Sequence, residues 1–260
     1  EDLCYLSWGR KWFYNTLDET VIVKHWWEEE PILHPWIERL IDNISNNKKK
    51  NSHWIHKSIL FKLTHLNNVL VPALILYWSG WSGKGAFLTL LAKIFWEKNT
   101  QVWLGQKDLE SSFDSYQGNK LIVEFKEVSS GNKFNDKKML DRIKSFVWEP
   151  IINVRALHKD SREVDNIARF HLSSNHAVPI QLDSKHSGNR RFTIIKTGWE
   201  LTKEVADLFW REALISDKII KQYIAWLYET YPEVPKMNRF FALDNEEKKQ
   251  LEESCEGAAN

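Results

Sequence analysis

Nine residues from Val69 to Tyr77 (VLVPALILY) are aliphatic or β-branched with no polar alternation, the pattern of a parallel strand buried on both faces. Gly80-Trp81-Ser82-Gly83-Lys84-Gly85 follows, and beyond it Phe87, Leu90, Leu91, Ile94 and Phe95 recur at helical spacing. Buried strand, glycine loop and amphipathic helix, in that order, form the setting that a phosphate-binding loop requires. Backbone N–H groups at a helix N-terminus offer donors and a positive dipole end to an anion. Lys84 would reach the phosphates as a mobile point charge. The letters fit less well than the context. The pattern G-x-x-x-x-G-K-[ST] wants glycine where Trp78 stands and a hydroxyl where Gly85 stands. The plainer reading of G-x-x-G-K-G is an ordinary turn, and its place between strand and helix favours the functional one.

The remaining segments extend the same architecture. HPWIERLIDNI reads as a short amphipathic helix, Ser45–Ser52 with its three lysines as an exposed loop, and His53–Leu66 as a helix. Lys120–Gly131 is a second apolar strand, followed by a helix over KKMLDRIKSFV. A strand, a charged turn and another strand from Ile167 to Ser173 come next, and then a strand over RRFTIIKTG. Thr202–Glu229 repeats apolar residues at helical spacing, and the charged tail DNEEKKQLEESCEGAAN reads as a helix fraying into disorder. Strands alternating with helices predict an α/β fold, a three-layer sandwich with a mostly parallel central sheet and helical flanks at both ends. The expected division is a helical N-terminal flank at 1–52, a phosphate-loop core at 53–200, and a helical flank with a charged tail at 201–260.

At 260 residues and 43% hydrophobic content, the chain can bury one sizeable core. The formal charge of +1 gives no overall basic field, so any nucleic-acid contact must come from a local patch. Cys4 and Cys255 lie at opposite ends and form no metal cluster, which favours a reducing, intracellular (cytoplasmic) setting. The N-terminus shows no signal-peptide pattern, and Val69–Trp78, the longest apolar run, is about half of a bilayer span. The expectation is a soluble protein without a membrane partner. The 14 tryptophans, including Trp78 and Trp81 inside the loop, have no physical account in the sequence.

Nucleoside-triphosphate chemistry also needs acidic residues at a neighbouring strand tip. Leu121–Phe125 ends in Lys126-Glu127, and Glu127 is placed to activate water. The plainer reading is a pair of solvated strand-end charges. Asn175, in SSNH after the third strand, can position a water by hydrogen bonding, or simply mark a turn. Arg190 and Arg191 open the next strand and are either surface residues or arginine fingers toward a neighbouring subunit.

The glycine loop with Lys84, ESSFDSYQGNKLIVEFKE, LDRIKSFVWEPIINVRALHKD, FHLSSNH and GNRRF together resemble superfamily III helicases, in particular the helicase portion of viral, phage and plasmid primase-helicases. The resemblance spans roughly Ile55–Thr197. It implies an AAA+-related P-loop NTPase, an ATP hydrolase and DNA helicase that assembles as a homo-hexameric ring and unwinds DNA by moving along a single strand. ATP and Mg²⁺ are the implied cofactors, and single-stranded or forked DNA and replication proteins the implied partners, with any primase domain separate. It maps Gly80, Trp81, Ser82, Gly83, Lys84, Gly85 and Ala86 onto nucleotide binding, and Lys84, Glu127, Asn175, Arg190 and Arg191 onto catalysis. Glu124 and Glu127 become the candidate Mg²⁺ ligands. A channel hairpin over Asn153–Glu163 would grip DNA through Arg155, His158 and Lys159.

Three departures press the same way. Gly85 and Ala86 supply no hydroxyl, Trp78 and Trp81 replace small residues, and Lys126 puts a cation where a metal needs an anion. Two readings therefore stand side by side: an ATP-driven helicase, and a degenerate, non-hydrolysing subunit that binds DNA or supports ring assembly. An unrelated phosphate-loop kinase is a third, weighed down by the lack of an acceptor-binding motif.

Overall fold

The structure, a computed structural model, describes residues 7–8, 11–12, 26–66, 71–110, 120–129, 133–155, 160–180, 182, 189–199, 201, 203–208 and 216–257. A two-residue ribbon near the N-terminus pairs β1 (Ser7–Trp8) with β2 (Lys11–Trp12). Two helices follow, α1 (Pro35–Ile44) and α2 (Lys49–Thr64).

The strand expected from VLVPALILY is β3 (Ala73–Tyr77), buried at every position. It leads through the glycine loop into α3 (Lys84–Phe95). After α3 come β4 (Thr100–Leu104), α4 (Gln106–Glu110), β5 (Ile122–Lys126) and α5 (Lys133–Trp148). A hairpin of β6 (Ile151–Val154) and β7 (Arg162–Asp165) precedes β8 (Arg169–Ser173) and β9 (Phe192–Lys196). The chain then forms α6 (Lys203–Leu208), α7 (Asp217–Thr230) and α8 (Glu246–Gly257).

The central sheet has the order β4-β5-β8-β3-β9, and every pairing in it is parallel. Because side chains alternate along a strand, β3 feeds two cores. Leu74 and Leu76 face the layer that holds Ile37, Leu40, Ile59, Phe87, Leu91 and Tyr223. Ala73, Ile75 and Tyr77 face the opposite layer with Leu140, Ile143 and Leu251. The fold is therefore α/β, with helices on both faces of a parallel sheet.

Buried cations join α2 to the start of β8. Lys62 donates from Nζ to the carbonyls of Leu66 (2.5 Å) and Ile167 (2.6 Å), and Arg169 donates from Nη2 to Ser58 Oγ at 2.9 Å. Burial, with the Arg169 charge adding to it, lowers the Lys62 pKa to about 7.

Two local expectations change. The lysine run is not an exposed loop throughout: α2 starts at Lys49, across the 52/53 boundary, and Asn51 and Ser52 are buried. The tail is not fraying over its described length. Leu251 and Cys255, one turn apart, pack into the core, and the buried carboxylate of Glu247 takes Lys48 Nζ at 2.9 Å and Asn51 Nδ2 at 3.3 Å. Charged letters hid an apolar stripe that is only two residues wide.

Leu251→Ala should cost about 2–5 kcal/mol, the usual loss for a truncated core leucine. Urea unfolding measures it. A loss near zero would show that α8 contributes no core packing.

Candidate phosphate-binding site

The parallel sheet puts the ends of β3, β5, β8 and β9 on one edge, where open α/β sheets bind ligands. β3 is also where the strand order reverses, since β8 and β9 flank it although they follow it by about a hundred residues.

Gly83 is the N-cap residue of α3, in the left-handed region at φ 91°. A Cβ there would lie 2.8 Å from Cδ1 of both Leu40 and Leu201. Glycine is therefore required for its backbone and for its missing side chain. At Gly80 and Gly85 a Cβ would meet open space. Trp78 (φ 105°) and Trp81 (φ 57°) also hold positive φ, a conformation that costs an L-residue about 1–2 kcal/mol. Lys196 Nζ sits 3.7 Å from the Trp78 ring centroid and offsets part of that cost. Trp81 is 86% exposed and covers nothing.

Lys84 is the first residue of α3, and its side chain folds back under the loop. Its Nζ donates to Ser79 O at 2.5 Å and Ser82 Oγ at 3.2 Å, both neutral oxygens. Burial lowers its pKa to about 8. Ser82, almost fully buried, is the hub. Its Oγ donates to Ser79 O at 3.1 Å and lies 3.0 Å from Thr197 Oγ1, and its carbonyl accepts Asn43 Nδ2 at 2.7 Å. Asn43 Nδ2 also donates to Trp199 O (2.9 Å), Gly198 N donates to Asn43 O (2.8 Å), and Leu201 N donates to Trp81 O (3.1 Å). Helix α1 and the segment after β9 thus clamp the loop from outside.

The sequence alone did not single out Asn43, Ser79, Lys196, Thr197 or Leu201. Ser79 acts through its backbone carbonyl, and the others act through a carbonyl, a hydroxyl or a ring face that is distant in the chain. No local pattern marks them.

The other expected residues divide by sheet edge. Glu127 follows the tip of β5, exposed and at φ 53°. Asn175 is exposed just beyond the tip of β8, the neighbouring strand. Lys84, Glu127 and Asn175 thus share the carboxyl edge. Arg190 and Arg191 precede β9 in a short 3-10 turn (Asn189–Arg191) and lie at the opposite edge. Within one chain they do not face Lys84. Arg155 directly follows the hairpin strand β6, whereas His158 and Lys159 lie outside the described residues.

The donor set beside Lys84 does not fit a Mg²⁺ held by the protein. Ala86 and Gly85 carry no hydroxyl, and Thr89, the first hydroxyl on α3, donates to Gly85 O at 3.1 Å. Glu124 is fully buried and accepts Ser173 Oγ at 3.0 Å. Lys126 brings an amine to the strand tip; burial lowers its pKa, while Glu124 and Glu127 pull it upward. Among the described residues no group of three or more His, Cys, Asp or Glu could hold a metal ion, and no helix is long and apolar enough to cross a membrane.

Residues 78–191, less than half of the chain, match the model of a family of unknown function (DUF5906). A DNA primase-polymerase of Nitratiruptor phage NrS-1 is 26% identical over 153 residues, which is 59% of this chain and 18% of the phage protein. Structures of the NrS-1 C-terminal region superpose with TM-scores of 0.73 and 0.72, at 22% and 21% identity, over 91% and 94% of this chain. The chain spans little more than half of those structures, 54% and 56%. At that identity the superposition shows a shared fold.

These matches correct the resemblance drawn from the motifs. The relative is a DNA primase-polymerase and the matching family has no assigned function, so membership in superfamily III helicases is overturned. The ATP-dependent helicase motor, the ATP hydrolase activity and the AAA+ assignment fall with it. The site gives the physical reason why the motifs misled. Lys84, Glu127 and Asn175 do converge on one edge, but the hydroxyl and the acidic metal ligand of a Mg-ATP hydrolase are replaced by Gly85 and Lys126.

Gly83→Ala should destabilise the fold by about 1–3 kcal/mol through positive φ and the two leucine contacts, whereas Gly85→Ala should be neutral or stabilising. Thermal unfolding of the pair checks this. Equal effects would mean that the loop is not held in the clamped form.

Proposed function

We propose that the chain is the phosphate-binding part of a DNA replication protein of the primase-polymerase kind, in which the Gly80–Gly85 loop and Lys84 hold the phosphates of a nucleotide. The observation that carries this reading is Lys84. It is a buried ammonium at a helix N-terminus whose described partners are neutral oxygens, so an arriving phosphate supplies the counter-charge it lacks. On this reading β3, the loop and α3 form a phosphate loop of the P-loop NTPase type, used to hold a nucleotide. The similarity to a DNA primase-polymerase supports nucleotides and DNA as partners. Joining nucleotides generally employs divalent cations. Because the loop offers no metal-binding hydroxyl, Mg²⁺ would arrive on the nucleotide's own phosphates, as this ion commonly does. The residues of this chain then do three things: the loop N–H groups and Lys84 bind phosphate, Asn43 and Thr197 hold the loop in shape, and Asn175 and Glu127 border the site at neighbouring strand tips. The β6–β7 hairpin, with Arg155 beside its turn, is assigned to contact with DNA phosphates.

Titration calorimetry with a deoxynucleoside triphosphate tests the reading. Lys84→Ala should abolish binding. Only the protonated amine attracts phosphate, so affinity should fall as pH rises from 7 to 9 through the Lys84 pKa of about 8. Lys84→Arg, which stays charged, should remove that pH dependence. Stability moves the other way. The folded pKa lies below the unfolded value of 10.5, so Lys84 makes stability rise with pH between about 8 and 10.5. Triphosphate binding unchanged in Lys84→Ala would overturn the proposal.

A further inference from the structure

Trp148, the last residue of α5, lies at the amino edge of the sheet, opposite the glycine loop. Three arginines from two segments converge on its ring, Arg190 and Arg191 from the turn before β9 and Arg239 from the chain after α7. The guanidinium carbons of Arg190, Arg191 and Arg239 stand 5.6, 5.6 and 5.4 Å from its centroid. Arg239 also stands 5.1 Å from the ring of Phe241, which is 64% exposed. Arg191 is fixed by its Nη1 bond to Lys144 O at 3.0 Å, while its Nε is buried without a partner.

Three like charges around one ring repel one another. They lie within about a Debye length, so solvent ions screen them only in part. Burial first and Arg190 second lower the Arg191 pKa, and the opposing charge of Glu149 raises it by less. Arg190 also lines a cleft of about 560 Å³, where three carboxylates (Asp244, Glu252 and Glu253) and two ammonium groups (Lys248 and Lys249) share the wall with it. Arg191 and Arg239 are not among that cleft's lining residues, so the positive excess lies on the Trp148 side. On a chain of net charge +1 it is a local field, which can recruit a polyanion.

The aromatic component narrows the class of polyanion. An acidic peptide would answer the arginines and leave Phe241 unused. A duplex would keep its bases stacked inside. A single strand presents phosphates and open base faces in alternation, and both aromatic rings and guanidinium planes stack on such bases.

We propose that Trp148, Phe241, Arg190, Arg191 and Arg239 form a second, sequence-tolerant binding surface for single-stranded nucleic acid, on the sheet edge opposite the phosphate loop. The strand lays its bases on Phe241 and the Arg239 plane, and its phosphates on Arg190 and Arg191. This surface stands apart from the nucleotide reading, because none of its residues belongs to the loop or its clamp.

The test is fluorescence anisotropy with labelled oligo-dT and oligo-rU of about 20 nucleotides, on the full chain at several salt concentrations. The variant Arg239→Gln/Phe241→Ala changes exposed positions only. It should bind both strands at least tenfold more weakly, because a base stack and a cation are lost together, and with a shallower salt slope. An oligomer with abasic sites should bind the wild type less well than oligo-dT does, and the variant should lose that difference. Triphosphate binding by the variant should match the wild type, so the two proposals fail independently. A folded variant that binds strands like the wild type would overturn the proposal. So would wild-type binding indifferent to the removal of bases, which would mark phosphate attraction alone. If strand binding persisted in the variant and self-association were lost, the patch would be an interface with a second copy of this chain.

Discussion

β3 pairs in parallel with β9 along all five of its residues and with β8 through Leu74–Leu76, and this double pairing sets what every later segment can reach. Parallel strands put their carboxyl ends on one edge, so Tyr77, Lys126, Ser173 and Lys196 finish side by side. The helices that return the chain must finish at the other edge, which carries α5 down to Trp148 and brings Arg190 and Arg191 beneath β9. A five-residue strand is about 16 Å long. The glycine loop and the arginine cluster are thus held apart by the length of the sheet, too far for one small ligand and well within reach of a polymer.

The carboxyl edge is also where the backbone is strained. Trp78, Trp81 and Glu127 all hold positive φ, at about 1–2 kcal/mol each for residues that are not glycine. Such outliers persist only where the surroundings over-determine them. Here the surroundings can be named: Lys196 over the Trp78 ring, Leu201 N on the Trp81 carbonyl, and Asn43 and Thr197 on Ser82. The clamp spends packing and hydrogen bonds on holding a loop in one shape, with its helix N-terminus open toward the strand tips. Preorganisation of that kind serves binding, because less order has to be imposed when the anion arrives.

The sequence made β3, α3, β5, β8 and β9 legible because buried parallel strands and an amphipathic helix leave strong periodic signatures. β4 left none: TQVWL is short and, as an edge strand, has a single partner, β5. The helix α8 was legible but its docking was not, because only Leu251 and Cys255 of its described side chains supply its apolar stripe. The placement of Lys84, Glu127 and Asn175 on one edge could be read because each sits at the tip or start of a recognisable element. Asn43, Thr197 and Leu201 could not, since their roles come from register across the sheet rather than from neighbours in the chain. The motif order also led to a helicase. Similar spacing of a lysine, a carboxylate and an amide can persist where the metal chemistry has changed, so the motifs traced the fold better than the reaction.

The charges at the carboxyl edge explain how such a loop still suits a phosphate. Removing the hydroxyl at position 85 and placing Lys126 beside Glu127 would both weaken a protein-held Mg²⁺. For a bare phosphate the same changes act in the other direction. Among the described residues, Lys84, Lys126 and Lys196 bring cations to the start of α3 and the ends of β5 and β9, whereas Glu124 is fully buried and bonded to Ser173. Glu127 is exposed at the tip of β5, and the N-terminus of α3 adds a positive dipole end. On the proposed reading, such a site carries phosphate charge itself rather than sharing it with a protein-held ion, which suits holding a nucleotide better than splitting one.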